Sequence, residues 1–160
     1  MKGYKIGIDE ATLEYVLIEL DIPEEYPGAI VYEYITNRMD AIPSYVDSYA
    51  SYWIYNLKQY RSNVARVLDI RRIKDGVVEH VDSAFSLYDP TFYYHPGEIV
   101  FPKAFDLDHA NVCTDGIHFF ETAADAITYA KDPWPRRMRI SAILARNNAR
   151  YKAYLEADAK

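Results

Sequence analysis

The chain opens with two apolar, β-branched runs, GYKIGI at 3–8 and LEYVLIEL at 13–20, separated by the polar pair Asp9 and Glu10. Such runs bounded by turn residues predict two strands joined as a hairpin. Pro23 and Pro27 lack backbone donors and end the second strand. AIVYEYI at 29–35 alternates and predicts a third strand. The spacing then changes. In SYVDSYASYWIYNLKQYR (44–61), Tyr45, Tyr49, Tyr52, Trp53, Leu57 and Tyr60 recur at intervals of three and four. This period predicts a tyrosine-rich helix, with Ser44 as N-cap and Asp47 in its first turn.

VARVLDIRRI (64–73) alternates as a strand, KDG (74–76) is a turn signal, and VVEHV (77–81) is the returning partner. Residues 84–102 hold a Tyr-Asp-Pro turn, then a short strand bounded by Pro96 and Pro102. GIHFF (116–120) predicts a strand, and Thr122 is placed to cap a helix over 123–131, with Asp125 near its positive end. DPWP (132–135) breaks that helix. Met138, Ile140, Ile143, Leu144, Tyr151, Tyr154 and Leu155 then mark a long amphipathic helix over 136–158. The expectation is one α+β domain over 1–160: a mostly antiparallel sheet, an inserted Tyr-rich helix and two C-terminal helices.

Composition narrows the function classes. A net charge of −6 disfavours a nucleic-acid partner, which needs clustered cations. The exception is the tail, where Arg136, Arg137, Arg139, Arg146, Arg150 and Lys152 form a locally basic segment. A single cysteine forms no internal disulfide, which fits a reducing compartment. No apolar run approaches a membrane span, so a soluble, cytoplasmic protein with no membrane partner is expected. Sixteen tyrosines suit a core boundary, a ligand-binding wall or an oligomer interface, because each joins an apolar body to a polar tip. The long terminal helix needs a surface to cover it, so a homo-oligomer is expected.

The candidate chemistry centres on CTDGIHFFETAADAITY (113–129). His109, Cys113 and His118, with His95, are residues that zinc accepts, but their spacing fits no zinc motif, and no metal or cofactor is expected. Asp106, Asp108 and Asp115 near Cys113 favour the neutral thiol over a nucleophilic thiolate. A packing role for Cys113 is therefore expected. On a strand, His118 shares a face with Phe120, where it either completes a core or forms the wall of a pocket. No glycine-rich loop cradles a phosphate, and no G-x-S-x-G elbow is present. A Ser-His-Asp arrangement is not excluded by the sequence.

ARVLDI, SAFSLYDPTFYYHPGEIVFPKAFD and CTDGIHFFETAADAITY together resemble a domain-of-unknown-function family of tailed phages and large viruses, sometimes fused to pentapeptide repeats. The match runs through residues 65–70, Ser86, Tyr88, Asp89, Phe92, Tyr94, Gly97, Glu98, Val100, Pro102, Phe105, Asp106, Cys113, residues 116–120, Thr122, Ala126 and Tyr129. KGYK and LDIP near the start also resemble it, giving a family-like core over 1–131. Residues 39–60 read as a helical insertion, and the helix over 134–160 lies outside the pattern. The resemblance implies a viral origin and a fold, without an assigned chemistry. GIHFFETAADAITY is also similar to a stretch of ADP-ribosyltransferases, in which the aromatic at the His118 position stacks on nicotinamide. Their early histidine is replaced here by Tyr4 and Lys5, and their late glutamate is missing from its place.

The expected function is therefore a non-catalytic phage protein that binds a small nucleotide-type ligand and sequesters a host defence signal. Tyr4, Tyr88, Tyr94, His118 and Phe120 would supply stacking and edge contacts, and Lys5 or Arg66 would hold a phosphate. One alternative is an ADP-ribosyltransferase-like or NAD-cleaving enzyme using His118 with Glu98 or Glu121. Another is an inhibitor that binds a host defence protein through the Tyr-rich helix.

Overall fold

The computed structural model describes residues 1–36, 57–73, 79–111, 114–131 and 133–158. Within them lie β1 (Lys2–Asp9), β2 (Tyr15–Asp21), β3 (Val31–Thr36), β4 (Leu57–Ser62), β5 (Ala65–Arg72), β6 (Ala84–Ser86), β7 (Tyr93–Tyr94), β8 (Ile99–Val100) and β9 (Ile117–Phe120). Two helices follow, α1 (Ala123–Ala130) and α2 (Pro133–Asp158). The fold is α+β, one open sheet of antiparallel pairs with both helices at the C-terminal end. Strand order is β3-β4-β9-β1-β2-β5-β8, with β6 and β7 branching off β1.

β1 and β2 pair along their whole length, Lys2 opposite Asp21 and Ile8 opposite Tyr15, as the alternation predicts. Asp9 closes the turn: its carboxylate accepts from the Ala11 N–H and the Thr12 hydroxyl, both at 2.9 Å. On its other edge β1 is shared. β9 meets it at Tyr4, and β6 meets it over Gly7, Ile8 and Asp9, so the sheet forks along this strand.

The predicted tyrosine-rich helix is corrected at its C-terminal end. Leu57–Ser62 is a strand, paired with β3 on one side and β9 on the other. A short tyrosine-containing run satisfies both periods, and two flanking strands offered its backbone a ladder that helical spacing alone could not outweigh. Ser44, Asp47 and the other residues of that stretch up to Asn56 lie outside the described residues. The 84–102 stretch is likewise richer than expected, since Ala84–Ser86 and Tyr93–Tyr94 pair as a small hairpin before β8. The expected return of residues 77–81 on β5 survives as a bridge between Arg71 and His80.

Strand alternation divides the core in two. One face carries Val16, Ile18, Leu20, Tyr60, Val67, Ile70, Tyr94, Ile117 and Phe119. The other carries Ile6, Ile8, Leu17, Phe85 and Phe120, against Ala126, Tyr129 and Ala130 of α1 and Ala142 of α2. Thr122 caps α1 as expected, its hydroxyl accepting from the Asp125 N–H at 3.1 Å. DPWP ends one helix and also begins the next. α2 starts at Pro133, and Pro135 sits in its first turn, where a missing N–H costs nothing because the first N–H groups have no intrahelical partner.

Arginines fasten α2 to the β1–β2 turn. The Arg139 guanidinium donates to the Leu13 carbonyl and lies over the Tyr15 ring. Arg146, buried, donates to the Glu10 carbonyl at 3.2 Å and lies over Phe85.

Gly3 is where β1 and β9 approach too closely for a side chain. A Cβ there would stand 2.3 Å from Cδ2 of Phe119, whose ring is held by stacking on Tyr60 at 5.3 Å. Gly3→Ala should therefore destabilise the fold, by about 1–3 kcal/mol as for other overpacked cores. A urea midpoint unchanged from wild type would refute this.

Candidate functional site

The structure brings the residues expected to bind ligand together in pairs, Tyr4 opposite Phe120 and Lys5 on Tyr94, and the strand period sends these pairs to opposite faces. Tyr4 and Phe120 face the helices, and Phe120 packs on Tyr129 with ring centroids 5.3 Å apart. Lys5 points to the other face and donates to the Tyr94 hydroxyl at 2.8 Å. Arg66 is exposed on β5, opposite Asp21 and Ile99, two strands away from β1. Tyr88 is exposed in the turn after β6.

His118 lies at the centre of a closed network. Its Nε2 lies 2.6 Å from the Thr114 carbonyl, and its Nδ1 lies 2.5 Å from the Tyr34 hydroxyl. A carbonyl only accepts, so Nε2 carries the proton and Nδ1 accepts from Tyr34. The Tyr34 oxygen is also 2.6 Å from the Gln59 side-chain amide. The near atom is Gln59 Oε1, and with its one proton given to His118 Tyr34 has none for it, so this contact becomes a hydrogen bond only when the Gln59 amide is flipped to present its nitrogen. Burial pushes the His118 pKa down to about 4, and the nearby Lys5 and Arg61 charges act in the same direction. A neutral imidazole with both nitrogens engaged is a structural part of this face.

Beside it, Arg61 is fully buried in β4. Its Nη1 donates to the carbonyls of Asp106 and Asp115 at 2.5 and 3.3 Å, and its Nη2 to that of Asp108 at 2.8 Å. The guanidinium lies 4.8 Å from the centroids of both the Tyr32 and Phe105 rings, which stack on each other at 5.6 Å. One cation thus ties together the described parts of the loop that leads into β9. The side chains of Asn111, then Thr114, with the Asp108 N–H, keep the Asp106 carboxyl below its usual range. Nothing in the hydrophobic pattern singles out Arg61, since the same segment satisfies a helical period.

Lys5 retains some exposure along its stem, but its amino end lies in the interior, and burial lowers its pKa to about 7. Tyr94 is buried, and its hydroxyl is held firmly protonated by the same desolvation. A near-neutral amine bonded to a phenol is a poor holder of phosphate.

An open cleft of about 390 Å³ lies elsewhere, between the β1–β2 turn and the segment before β6, lined by Asp9, Glu10, Arg72, His80, Asp82 and Ser83 among others. Asp9 is 2% exposed. Burial alone would raise its pKa, but the Ala11 N–H, the Thr12 hydroxyl and Arg72 outweigh that and hold it below the usual carboxylate value. Arg72 spans from Asp9 to Glu79, at 3.2 and 2.9 Å. The Ser83 hydroxyl lies 3.0 Å from Glu10 and 3.3 Å from Nε2 of His95, whose Nδ1 is 3.2 Å from Glu98. Asp9, Arg72, Ser83 and His95 are far apart in sequence and share no motif, so only their folding together marks the place.

Among the described residues, no group of three or more His, Cys, Asp and Glu side chains is placed to hold a metal ion; Cys113 lies outside them. No helix among them is long and apolar enough to cross a membrane.

The fold and this cleft define an α+β domain built on a forked antiparallel sheet, with a helical C-terminus beyond the sheet. The chain belongs to a family of unknown function, DUF5758, whose model matches residues 1–126. The match ends inside α1, so α2 lies beyond it. Comparison with curated proteins and with solved structures found no match.

Proposed function

We propose that the protein is a non-catalytic binding protein and that its ligand sits in the Asp9–Ser83 cleft. The observation that carries this is the charge balance of the lining, in which the nearby cations among the described residues are already paired: Arg72 with Asp9 and Glu79, and Arg146 and Arg150 with Glu10, while Asp82 adds a further carboxylate. Such a lining disfavours a phosphate dianion and favours hydroxyl- and amine-bearing groups, which donate to carboxylates. Within the nucleotide-type class expected from the sequence, the nucleoside portion is the better fit. In the viral setting that the family resemblance implies, holding a host signal out of circulation is the natural use of such a cleft.

A second reading comes from Ser83, His95 and Glu98, whose order is that of nucleophile, base and orienting carboxylate in acyl transfer. It ranks second because Glu10 is closer to the Ser83 hydroxyl than His95 is, and competes for its proton.

Thermal-shift and native mass measurements with nucleosides, nucleotides, NAD and ADP-ribose test the binding reading. Stabilisation by nucleosides, lost in Asp82→Arg, is the expected result. No stabilisation by any of these compounds removes the proposal. Labelling of Ser83 by a fluorophosphonate would replace it with the hydrolase reading.

A further inference from the structure

We propose that α2 pairs with α2 of a second copy of this chain, antiparallel, about an axis near Asn147. Ile140, Leu144, Tyr151, Tyr154 and Leu155 are 48–65% exposed. At 100° per residue these five side chains fall within an arc of about 100°, the width of a buried helical stripe. Their arc lies opposite Met138, Ala142 and Arg146, which meet the sheet. From Asn147 to Ala157 every residue is exposed, and the outer half of the helix covers little of the domain, although Arg150 reaches the Glu10 carboxylate at 3.2 Å.

The stripe repeats at intervals of four, seven and three through Ile140, Leu144, Tyr151 and Tyr154, the a/d pattern of a two-helix seam, with Leu155 beside it. It is also nearly symmetric about Asn147. Reversing the helix about that point sets Ile140 against Tyr154 and places Leu144 beside Tyr151 of the other copy, so the surface is complementary to itself, as a two-fold contact requires. Asn147 itself falls on the seam, where a single polar residue fixes register.

Charge sets the direction. Residues 133–150 carry five arginines and no acid, whereas 151–158 carry Lys152, Glu156 and Asp158. A parallel pair would align the two arginine-rich halves, while an antiparallel pair sets each against the weakly acidic end of the other. The helix has no acidic residue in its first turn and no basic residue in its last, so it does nothing to offset its own dipole. An antiparallel neighbour supplies that offset at both ends. The contact lies outside the part of the chain shared with the family.

Analytical ultracentrifugation of the full chain should show a concentration-dependent dimer, and Leu144→Glu, at a side chain already exposed in the monomer, should abolish it. Direction is read by disulfide cross-linking in a Cys113→Ser background. Ile140→Cys mixed with Tyr154→Cys should give a cross-linked pair, whereas Ile140→Cys alone should not. A monomer at every concentration, a dimer indifferent to Leu144→Glu, or self-linking of Ile140→Cys would each overturn the proposal.

Discussion

Replacing Arg61 by methionine should destabilise the protein by about 3–5 kcal/mol, the cost of breaking a buried, hydrogen-bonded cation out of its site. Methionine fills much of the same volume beside Tyr32 and Phe105 but donates nothing. The carbonyls of Asp106, Asp108 and Asp115 then lose the donors that hold the loop before β9. Arg61→Lys should recover little, because one ammonium cannot span three carbonyls with the geometry of a planar fork. Urea denaturation gives the energy, and hydrogen exchange gives its place: the amides of residues 105–111 and 114–116 should lose protection first. A loss under about 1 kcal/mol, with that protection intact, would show that the loop is held by something other than Arg61.

Acidification should produce the second large effect, through His118. Its folded pKa of about 4 lies below the ordinary value of 6.5, so between these values the unfolded chain binds the extra proton and the folded chain does not. Stability from this group is complete above about pH 6.5, falls as the pH drops, and levels off below about pH 4. A shift of this size corresponds to roughly 3 kcal/mol across the window. Tyr34 and Thr114 explain the direction structurally, since a second ring proton would displace the Tyr34 proton that Nδ1 accepts, in a site beside Arg61 and within reach of the Lys5 charge. Asp9, held low, loses its contribution only below the ordinary carboxylate range, so the two windows separate. His118→Gln should be less stable than wild type at pH 7 and should lose the slope between pH 6.5 and 4. An equal slope in both proteins would place the titration elsewhere. Lys5 acts at the other end, adding stability as the pH rises from about 7 toward 10.5.

Elements whose pattern was local and unambiguous were legible in the sequence. The hairpin of β1 and β2 follows from two apolar runs around Asp9 and Glu10, and α1 follows from Thr122 and Asp125. The strand containing His118 was legible too, and so was its sharing of a face with Phe120. Its partners were not, because Tyr34 and Gln59 arrive from β3 and β4, and Thr114 lies four residues away along a bent loop. The segment around Tyr60 misled, since its aromatic residues satisfy a helical period and a strand period alike.

The sequence by itself determined the class of fold, the β1–β2 hairpin and the amphipathic stripe of the terminal helix, because each is a periodicity that local geometry converts directly into structure. Tertiary structure alone decided that residues 57–62 form a strand, since only the edges of β3 and β9 could settle their backbone hydrogen bonds. It alone separated Lys5 from Tyr4 and His118, and gathered Asp9, Arg72 and Ser83 around one cleft, with His95 against Ser83. A site built from residues dozens of positions apart leaves no periodic trace in a chain, and becomes visible only when folding brings its parts within a few ångströms.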